Sequence, residues 1–399
     1  MASFLAATAL LATLAVGAYV HPRMRRIASL EPVSDAAAAD GPAPTVALVV
    51  AARDEADAVE RAVRSLLAQA DTFPPGALAV VAVDDRSSDG TAAILDRLAA
   101  ENDALRAVHV EALPDGWLGK NHALHLGAEA AGDVDFLLFT DADVEFEPGA
   151  VRAVAAHAWT NDLDHLAGGP RVVARSFALQ GMIATFGVLF ALFTRPWSHG
   201  DPRRDTACGV GALNLVRRTA YERAGGHAAI RLFVDDDLRL GRAVKRGGGR
   251  CAFVFAQALA RVPWYASLGA MLRGLVKNVF AGIDYRVGVA LAATLVLGAT
   301  CIAPAALAAA PSAATGLDQG TRILFGATAL LQTVGSASSA RRAGLSPLAG
   351  LFFPVGVTLF LFVLWRSTLT ALVTRRVTWR DTAYDLGDLV KFNRARARR

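Results

Sequence analysis

At 399 residues the chain has room for one large domain with additions, or for two ordinary ones. Its composition is 54% hydrophobic and 19% charged, with a mean hydropathy of +0.36. This is too apolar for an ordinary soluble enzyme and too charged for a pure membrane bundle, so it points to a soluble part joined to membrane spans. The net charge of +5 is small for this length. Basic residues stand beside apolar segments, at Arg23, Arg25 and Arg26, at Arg375, Arg376 and Arg380, and between Arg394 and Arg399. That placement suits anionic lipid headgroups, and no interleaved aromatic and basic surface suggests a nucleic-acid partner. Cys208, Cys251 and Cys301 form no CxxC pair, which fits a reducing compartment better than a disulfide framework or a zinc site.

Residues 2–20 are continuously apolar, and their basic flank follows the apolar run. A cleaved signal peptide places positive charge first, so residues 1–21 read as an uncleaved anchor with the N-terminus outside. Residues 22–44, rich in Ala, Pro and Asp, read as a linker. From Thr45 the pattern turns α/β: VALVVAA, LAVVAVDD and VDFLLFTDAD read as buried strands, and DAVERAVRSLLAQ and DGTAAILDRLAAE as helices. Strands ending in acids and alternating with helices predict an open, mainly parallel sheet whose ligands bind at strand carboxyl ends. This catalytic domain is expected over 45–264. Within it, 179–193 is apolar but short for a span, and Gln180, Arg175 and Arg195 suit a helix at a bilayer surface or a buried one. Residues 265–286 read as interfacial amphipathic helices. Spans are expected at about 287–310, 321–339 and 347–373 within a membrane region of 287–373, with a basic tail over 374–399. Three crossings would put that tail outside, against the positive-inside tendency. The last segment contains Pro354 and Gly356, so a broken or re-entrant course is expected, with a cytoplasmic tail.

The chemistry lies at strand ends. Asp84 and Asp85 close the second strand and can accept hydrogen bonds from a nucleobase or a ribose, although capping of the next helix explains them as simply. Asp141 and Asp143 close the third strand as a DxD pair. Two such carboxylates can hold Mg²⁺ or Mn²⁺. The ion would neutralise a leaving diphosphate. Between them, Gly116-Trp117-Leu118-Gly119-Lys120 offers close backbone approach and a cation, or an ordinary Gly-bounded turn. His122 and His125 share a helix face and read as packing or surface residues rather than ligands. Gly209, Gly211 and Asn214 sit in a glycine-rich stretch ahead of an amphipathic helix, and either shape a sugar pocket or make a tight turn. Asp235, Asp236 and Asp237 stand in a row, where mutual repulsion raises a pKa and suits a general base. A solvated helix N-terminus accounts for them too.

Taken in order, ARDEA at 51–55, DDRSSDGT at 84–91, GWLGK at 116–120, TDAD at 140–143, GVGALN at 209–214 and the acids at 235–237 resemble the family 2 glycosyltransferases of GT-A fold. The resemblance covers roughly residues 45–280. The single anchor, the GWLGK motif and the apolar tail look most like the hopene-associated and carotenoid members.

The resemblance implies that Asp84 and Asp85 contact the nucleoside with Arg53 and Glu55 lining its pocket. It also implies that Lys120 and Asp141 serve the donor, that Asp141 and Asp143 hold the metal, and that Trp117, Gly209, Gly211 and Asn214 shape an acceptor or sugar pocket. The base belongs to Asp236 and Asp237. Counting back from Leu240 selects Asp237, whereas counting from Leu238 selects Asp235. Asp54 stands where the family has Asn, and the QxxRW motif of processive synthases is missing.

The expected function is an inverting, metal-dependent transfer of one sugar from a nucleotide sugar, a UDP-sugar for preference, to a polycyclic or polyprenoid lipid. The expected setting is the inner (plasma) membrane, with the catalytic domain cytoplasmic. Transfer to a polyprenyl phosphate or polysaccharide, or a non-catalytic scaffold, are the alternatives. A proton-coupled carrier is disfavoured, because no acid falls inside the apolar segments.

Overall fold

The computed structural model describes residues 1–34, 43–379 and 382–397. Arg380, Arg398, Arg399 and residues 35–42 of the expected linker lie outside them. The chain forms two compact units: 27–173 with 194–264, and 1–26 with 174–193 and 265–399.

Helix α1 (Ala2–Arg25) precedes the α/β unit. That unit runs β1 (Val46–Ala52), α2 (Val59–Leu67), β2 (Leu78–Asp84), α3 (Thr91–Glu101), β3 (Leu105–His109), α4 (Gly119–Ala130), β4 (Phe136–Asp141), β5 (Glu145–Phe146), α5 (Ala150–Thr160) and β6 (His165–Val172). The chain then leaves through α6 (Phe177–Thr194) and returns as β7 (Asn214–Arg217), α7 (Arg218–Arg223), α8 (Gly226–Ala229), α9 (Asp236–Arg246) and β8 (Cys251–Val262). The sheet order is β3-β2-β1-β4-β7-β6-β8-β5. β1, β2, β3 and β4 pair in parallel, as do β6 and β8, whereas β7 runs antiparallel to both β4 and β6.

The alternation of burial explains these elements. β1 is apolar throughout because helices cover both faces of a central parallel strand. On α2, Val59, Ala62, Val63 and Leu66 make one buried stripe at helical spacing. The glycine-rich stretch leads into the short strand β7, and the expected amphipathic helix comes only after it. The expected linker is also partly structured. Leu30 N–H donates to the Phe255 carbonyl and Phe255 N–H to that of Ala28, at 3.0 and 2.8 Å. β5 pairs with β8 only at Ala260 and Arg261, so the chain after α1 covers β8 backbone that β5 does not reach.

The other unit is built from apolar helices: α1, α6, α10 (Leu268–Gly282), α11 (Val287–Leu297), α12 (Ala303–Ala309), α13 (Ser312–Thr315), α14 (Gln319–Arg342) and α15 (Phe353–Thr374). A hairpin, β9 (Arg376–Trp379) and β10 (Thr382–Asp385), and α16 (Leu386–Ala397) follow, so the basic tail is largely folded. Among the described residues, five helical stretches are long and apolar enough to cross a membrane: Ala2–Arg25, Phe177–Ser198, Val287–Ala309, Gln319–Arg342 and Pro347–Thr374. The stretch expected to be short therefore reaches spanning length.

Polar contacts fix the helix directions. α1 and α14 run parallel: Ser3 Oγ meets Thr321 Oγ1 at 2.7 Å at one end, and Arg342 donates to the Met24 carbonyl at 3.2 Å at the other. α11 and α12 run the opposite way, with Arg322 on the Ala308 carbonyl. A π-turn over Gly298–Ile302 joins them. Pro304 has no N–H for the Thr300 carbonyl, which accepts instead from Gln332 Nε2 at 2.6 Å. α15 returns along α10 and α11: Trp365 Nε1 donates to Thr294 Oγ1 at 2.9 Å, and Phe280 N–H donates to Ser367 Oγ at 3.3 Å.

Candidate active site

Strand register builds the site. Ala52 of β1 lies opposite Asp84 of β2, and Ala51 lies opposite Asp141 of β4. Three adjacent parallel strands thus stop at one level and release Arg53 to Glu55, Asp84 and Asp85, and Asp141 to Asp143 along one edge. Two of them, β2 and β4, are the strands expected from sequence to end in acids.

At the first end, Asp84 and Asp85 are buried. Asp85 accepts from Arg86 Nε at 2.9 Å and lies 3.6 Å from the Arg53 guanidinium. Its carboxylate rests on Gly119, where any side chain would collide with it. Asp84 accepts from the Ser87 amide at 3.3 Å. Asp54 takes a left-handed backbone, φ 52°, and its carboxylate accepts from the Ser88 amide at 2.8 Å and hydroxyl at 3.1 Å. The Ser88 amide holds that carboxyl below its ordinary range.

At the second end, Lys120 spans two acids, with Nζ 2.8 Å from Asp141 and 3.4 Å from Asp236. Burial alone would depress its pKa, but Asp141, Asp236 and Asp237 hold it well above the usual range. Asp141 lies over Gly211, 2.5 Å from where a Cβ would stand. Asp143 is pushed up to about 7 by burial and by the charges of Asp141 and Glu55. An ionised cluster of Glu55, Asp141, Asp143 and Asp236 leaves negative charge that Lys120 does not balance. Carboxylates are hard oxygen donors, the donor type that Mg²⁺ or Mn²⁺ takes, and Asp141 and Asp143 are the residues that could hold such an ion.

The acid row separates by partner. Asp235 accepts from Arg239 Nε at 2.9 Å. Asp236 faces Lys120. Asp237 has no ion pair among the described residues, and its Oδ1 accepts from the Leu238 amide at 2.8 Å. Burial and the neighbouring Asp236 push Asp237 up to about 6; burial also brings Asp235 to about 6, against the pull of Arg239.

Two residues expected at an acceptor or sugar pocket, Trp117 and Asn214, have side-chain partners of their own. Trp117 stacks on His125, with ring centroids 5.0 Å apart, and meets His122 edge-on. Asn214 is buried, with its amide in contact with His165 and with the Asp237 backbone. Gly209 lies directly on the Asp237 carbonyl, which leaves no space for a side chain.

Residues 47–225 match the model of glycosyl transferase family 2. The glycosyltransferase domain so defined contains the three strand ends and stops short of the acid row. Glycosyltransferase AglD of Haloferax volcanii is 30% identical over 191 residues, which is 47% of this chain and 28% of that relative. The alignment therefore spans under a third of the relative's length. Among solved structures, the mannosyltransferase PcManGT from Pyrobaculum calidifontis, in complex with GDP-Man and Mn²⁺, superposes with a TM-score of 0.55 at 15% identity. The superposition covers 94% of this chain and 100% of that one. At that identity the likeness establishes the fold, which is GT-A with apolar helices.

Proposed function

We propose that this chain transfers one sugar, with inversion, from a nucleotide sugar to a lipid acceptor held in the membrane. The observation that carries the reading is the junction of three strand ends with α9 through Lys120. Asp84 and Asp85 stand where a nucleoside would bind, with Arg53 and Glu55 beside them. Lys120 holds Asp141 and Asp236 at a set spacing, so donor-side and acceptor-side acids move as one body. Asp141 and Asp143 would hold Mg²⁺ or Mn²⁺, which would neutralise the donor diphosphate. The Mn²⁺ and GDP-Man of the mannosyltransferase neighbour support that assignment and leave the base of the nucleotide open.

Asp237 is the proposed base. Its carboxyl is pushed up to about 6, so it is ionised at pH 7 yet more basic than a free carboxylate. It removes the acceptor hydroxyl proton as that oxygen attacks the anomeric carbon. Asp235, neutralised by Arg239, is less available. The absence of a processive QxxRW motif supports a single transfer, and the motif set supports a hopanoid, carotenoid or other polyprenoid acceptor.

The helix directions support a cytoplasmic tail. α14 ends beside Met24, at the end where the chain passes into the α/β unit, and Pro347 follows five residues after Arg342. α15 then descends along α10, and Asn393 reaches Asp284, just before α11 begins. α11 starts at that same end, because Thr300 meets Gln332 midway and Ala308 meets Arg322 at the far end. The turn Pro347–Phe352 runs back along α14, where Gly350 lies against the Thr333 carbonyl and Ala337, so on this reading α15, itself unbroken, starts within the apolar layer and returns to the side from which the segment entered. On this reading α1, α11 with α12, and α14 cross, and the tail lies on the side where α1 ends.

The test is incubation of membranes carrying the protein with a panel of labelled nucleotide sugars, followed by mass analysis of lipid extracts. Label in a neutral lipid, lost with EDTA and restored by Mn²⁺ or Mg²⁺, is the expected result. Label in polyprenyl phosphate or in a water-soluble polymer moves the acceptor to that class, and no incorporation with any donor defeats the proposal.

A further inference from the structure

Three buried residues, His165, His199 and Cys251, bring ligand atoms close enough together to suggest a metal site. Their hydrogen bonds exclude it. The Cys208 amide donates to His199 Nδ1 at 3.2 Å, which makes that nitrogen an acceptor. His199 therefore carries its proton on Nε2, which lies 2.8 Å from His165 Nδ1. His165 in turn carries its proton on Nε2, 2.6 Å from Asn214 Oδ1. The Asn214 amide NH₂ then donates to the Asp237 carbonyl at 3.4 Å. One tautomer satisfies every link, both imidazoles are neutral, and no ring nitrogen keeps a free lone pair. Cys251 S–H donates to the Gly249 carbonyl at 3.4 Å, and burial pushes this thiol up to about 12.

We infer that this oriented chain, from the Cys208 amide through His199, His165 and Asn214 to the Asp237 carbonyl, positions the proposed base. The inference rests on the reading of Asp237 given above. The chain joins α9 at several points. The ring of His165 packs on Gly241, where a Cβ would stand 2.9 Å from Cε1 and 2.7 Å from the Cys208 carbonyl. Lys245, one turn further along α9, donates to the carbonyls of Ser198 and Thr206 at 2.9 and 2.7 Å, and so ties down the segment that carries His199. Gly209, next to Cys208, seats against the Asp237 backbone. β6, β7 and the segment 198–209 thereby converge on α9. None of these side chains touches the reacting atoms. They act by fixing the backbone from which the Asp237 carboxylate projects, and a base displaced by about 1 Å loses much of its effect.

The experiment compares His165→Leu with His165→Gln, because a Gln Nε2–H can still donate to Asn214 and a Leu cannot. Donor-nucleotide binding, transfer rate under saturating donor, and thermal midpoint are measured for both, with Asn214→Asp as a second variant. Asn214→Asp keeps the acceptor for His165 and removes the donor to Asp237. The expected outcome is a loss of about ten- to hundredfold in kcat for His165→Leu and Asn214→Asp, with donor affinity within about twofold, and recovery of most of the loss in His165→Gln. Nitrogen NMR of histidine-labelled wild-type protein in detergent should show both rings neutral and protonated on Nε2. Equal kcat for the Leu and Gln variants, a cationic or Nδ1-protonated ring, or stoichiometric zinc in the purified protein would overturn the inference. If Asp237→Asn is itself without effect, the functional reading falls, whatever the histidine variants do. If Asp237→Asn is severe while Asn214→Asp transfers at the wild-type rate, only the positioning chain falls.

Discussion

Asp143 offers the sharpest test of the acid cluster, because function and stability are expected to pull in opposite directions there. Its carboxyl is raised from 3.8 to about 7, by burial first and then by Asp141 and Glu55. The folded chain thus holds this proton over a pH range in which the unfolded chain has lost it. Stability falls as pH rises from about 4 to about 7 and is flat above that. A shift of about 3 units at 1.36 kcal/mol each gives a loss of about 4 kcal/mol at pH 8, and of about 1.6 kcal/mol at pH 5. These are upper bounds, since the side chain is partly exposed and solvent screens its neighbours. Asp143→Asn keeps the shape and removes the charge, so it should stabilise the metal-free protein by up to about 4 kcal/mol at pH 8, and by much less at pH 5. With saturating Mn²⁺ the order should reverse, because the wild type gains binding energy that the variant lacks. Urea unfolding in detergent, followed by tryptophan fluorescence at both pH values with EDTA or Mn²⁺, gives all four comparisons. A variant no more stable than wild type at pH 8 in EDTA refutes the repulsive cluster, and an equal Mn²⁺ response in both proteins refutes the ligand assignment.

Asp237→Asn should lower transfer by about 10²- to 10⁴-fold with donor binding nearly unchanged, while Asp235→Asn should be milder; transfer rates and donor titrations on both variants read this out. A dominant loss at Asp235 would move the base there. Asp54→Ala should cost about 2 kcal/mol, from a left-handed backbone and a lost hydrogen bond, whereas Asp54→Asn should be nearly neutral, as denaturant midpoints would show. A fluorescent protein fused after residue 399 should fold and fluoresce in cells, as expected of a cytoplasmic tail. A fusion active only in an external compartment would contradict the re-entrant course of Pro347–Thr374.

The strand ends were legible in the sequence because a parallel strand buried on both faces is an uninterrupted apolar run, and acids directly after it stand out. β2 and β4 are of this kind, and β1 shares the apolar run. β7 was not legible, since four residues, Asn214–Arg217, carry no period. β6 was hidden by Gly168, Gly169 and Pro170, which mimic a turn. Packing requires the first two: Cβ atoms there would stand 3.0 Å from Leu213 and 3.2 Å from Phe253. The histidine chain had no signal at all, because His165 and His199 become partners only when β6 and the segment before β7 meet. The segment after α1 read as linker, since Ala, Pro and Asp dominate it and its few ladder bonds use backbone alone. The hydrogen bonds of the Asn214 amide to His165 and to the Asp237 carbonyl likewise had no signal in the sequence.

The excursion through α6 has a consequence for how the chain is made. β6 pairs on one side with β7 and on the other with β8, and both are synthesised after α6. When β6 leaves the ribosome, both its edges are therefore bare, and an apolar helix is the next segment to emerge. From Val172 to Val262 is 90 residues, or about 5–18 s of translation at ordinary rates. During that interval β1, β2, β3 and β4 can pair among themselves, while β6 waits with exposed ladder groups beside a helix that seeks lipid. Under the proposed membrane setting, lodging α6 early would shorten the life of this aggregation-prone state, and would tie delivery of the nascent chain to completion of the sheet.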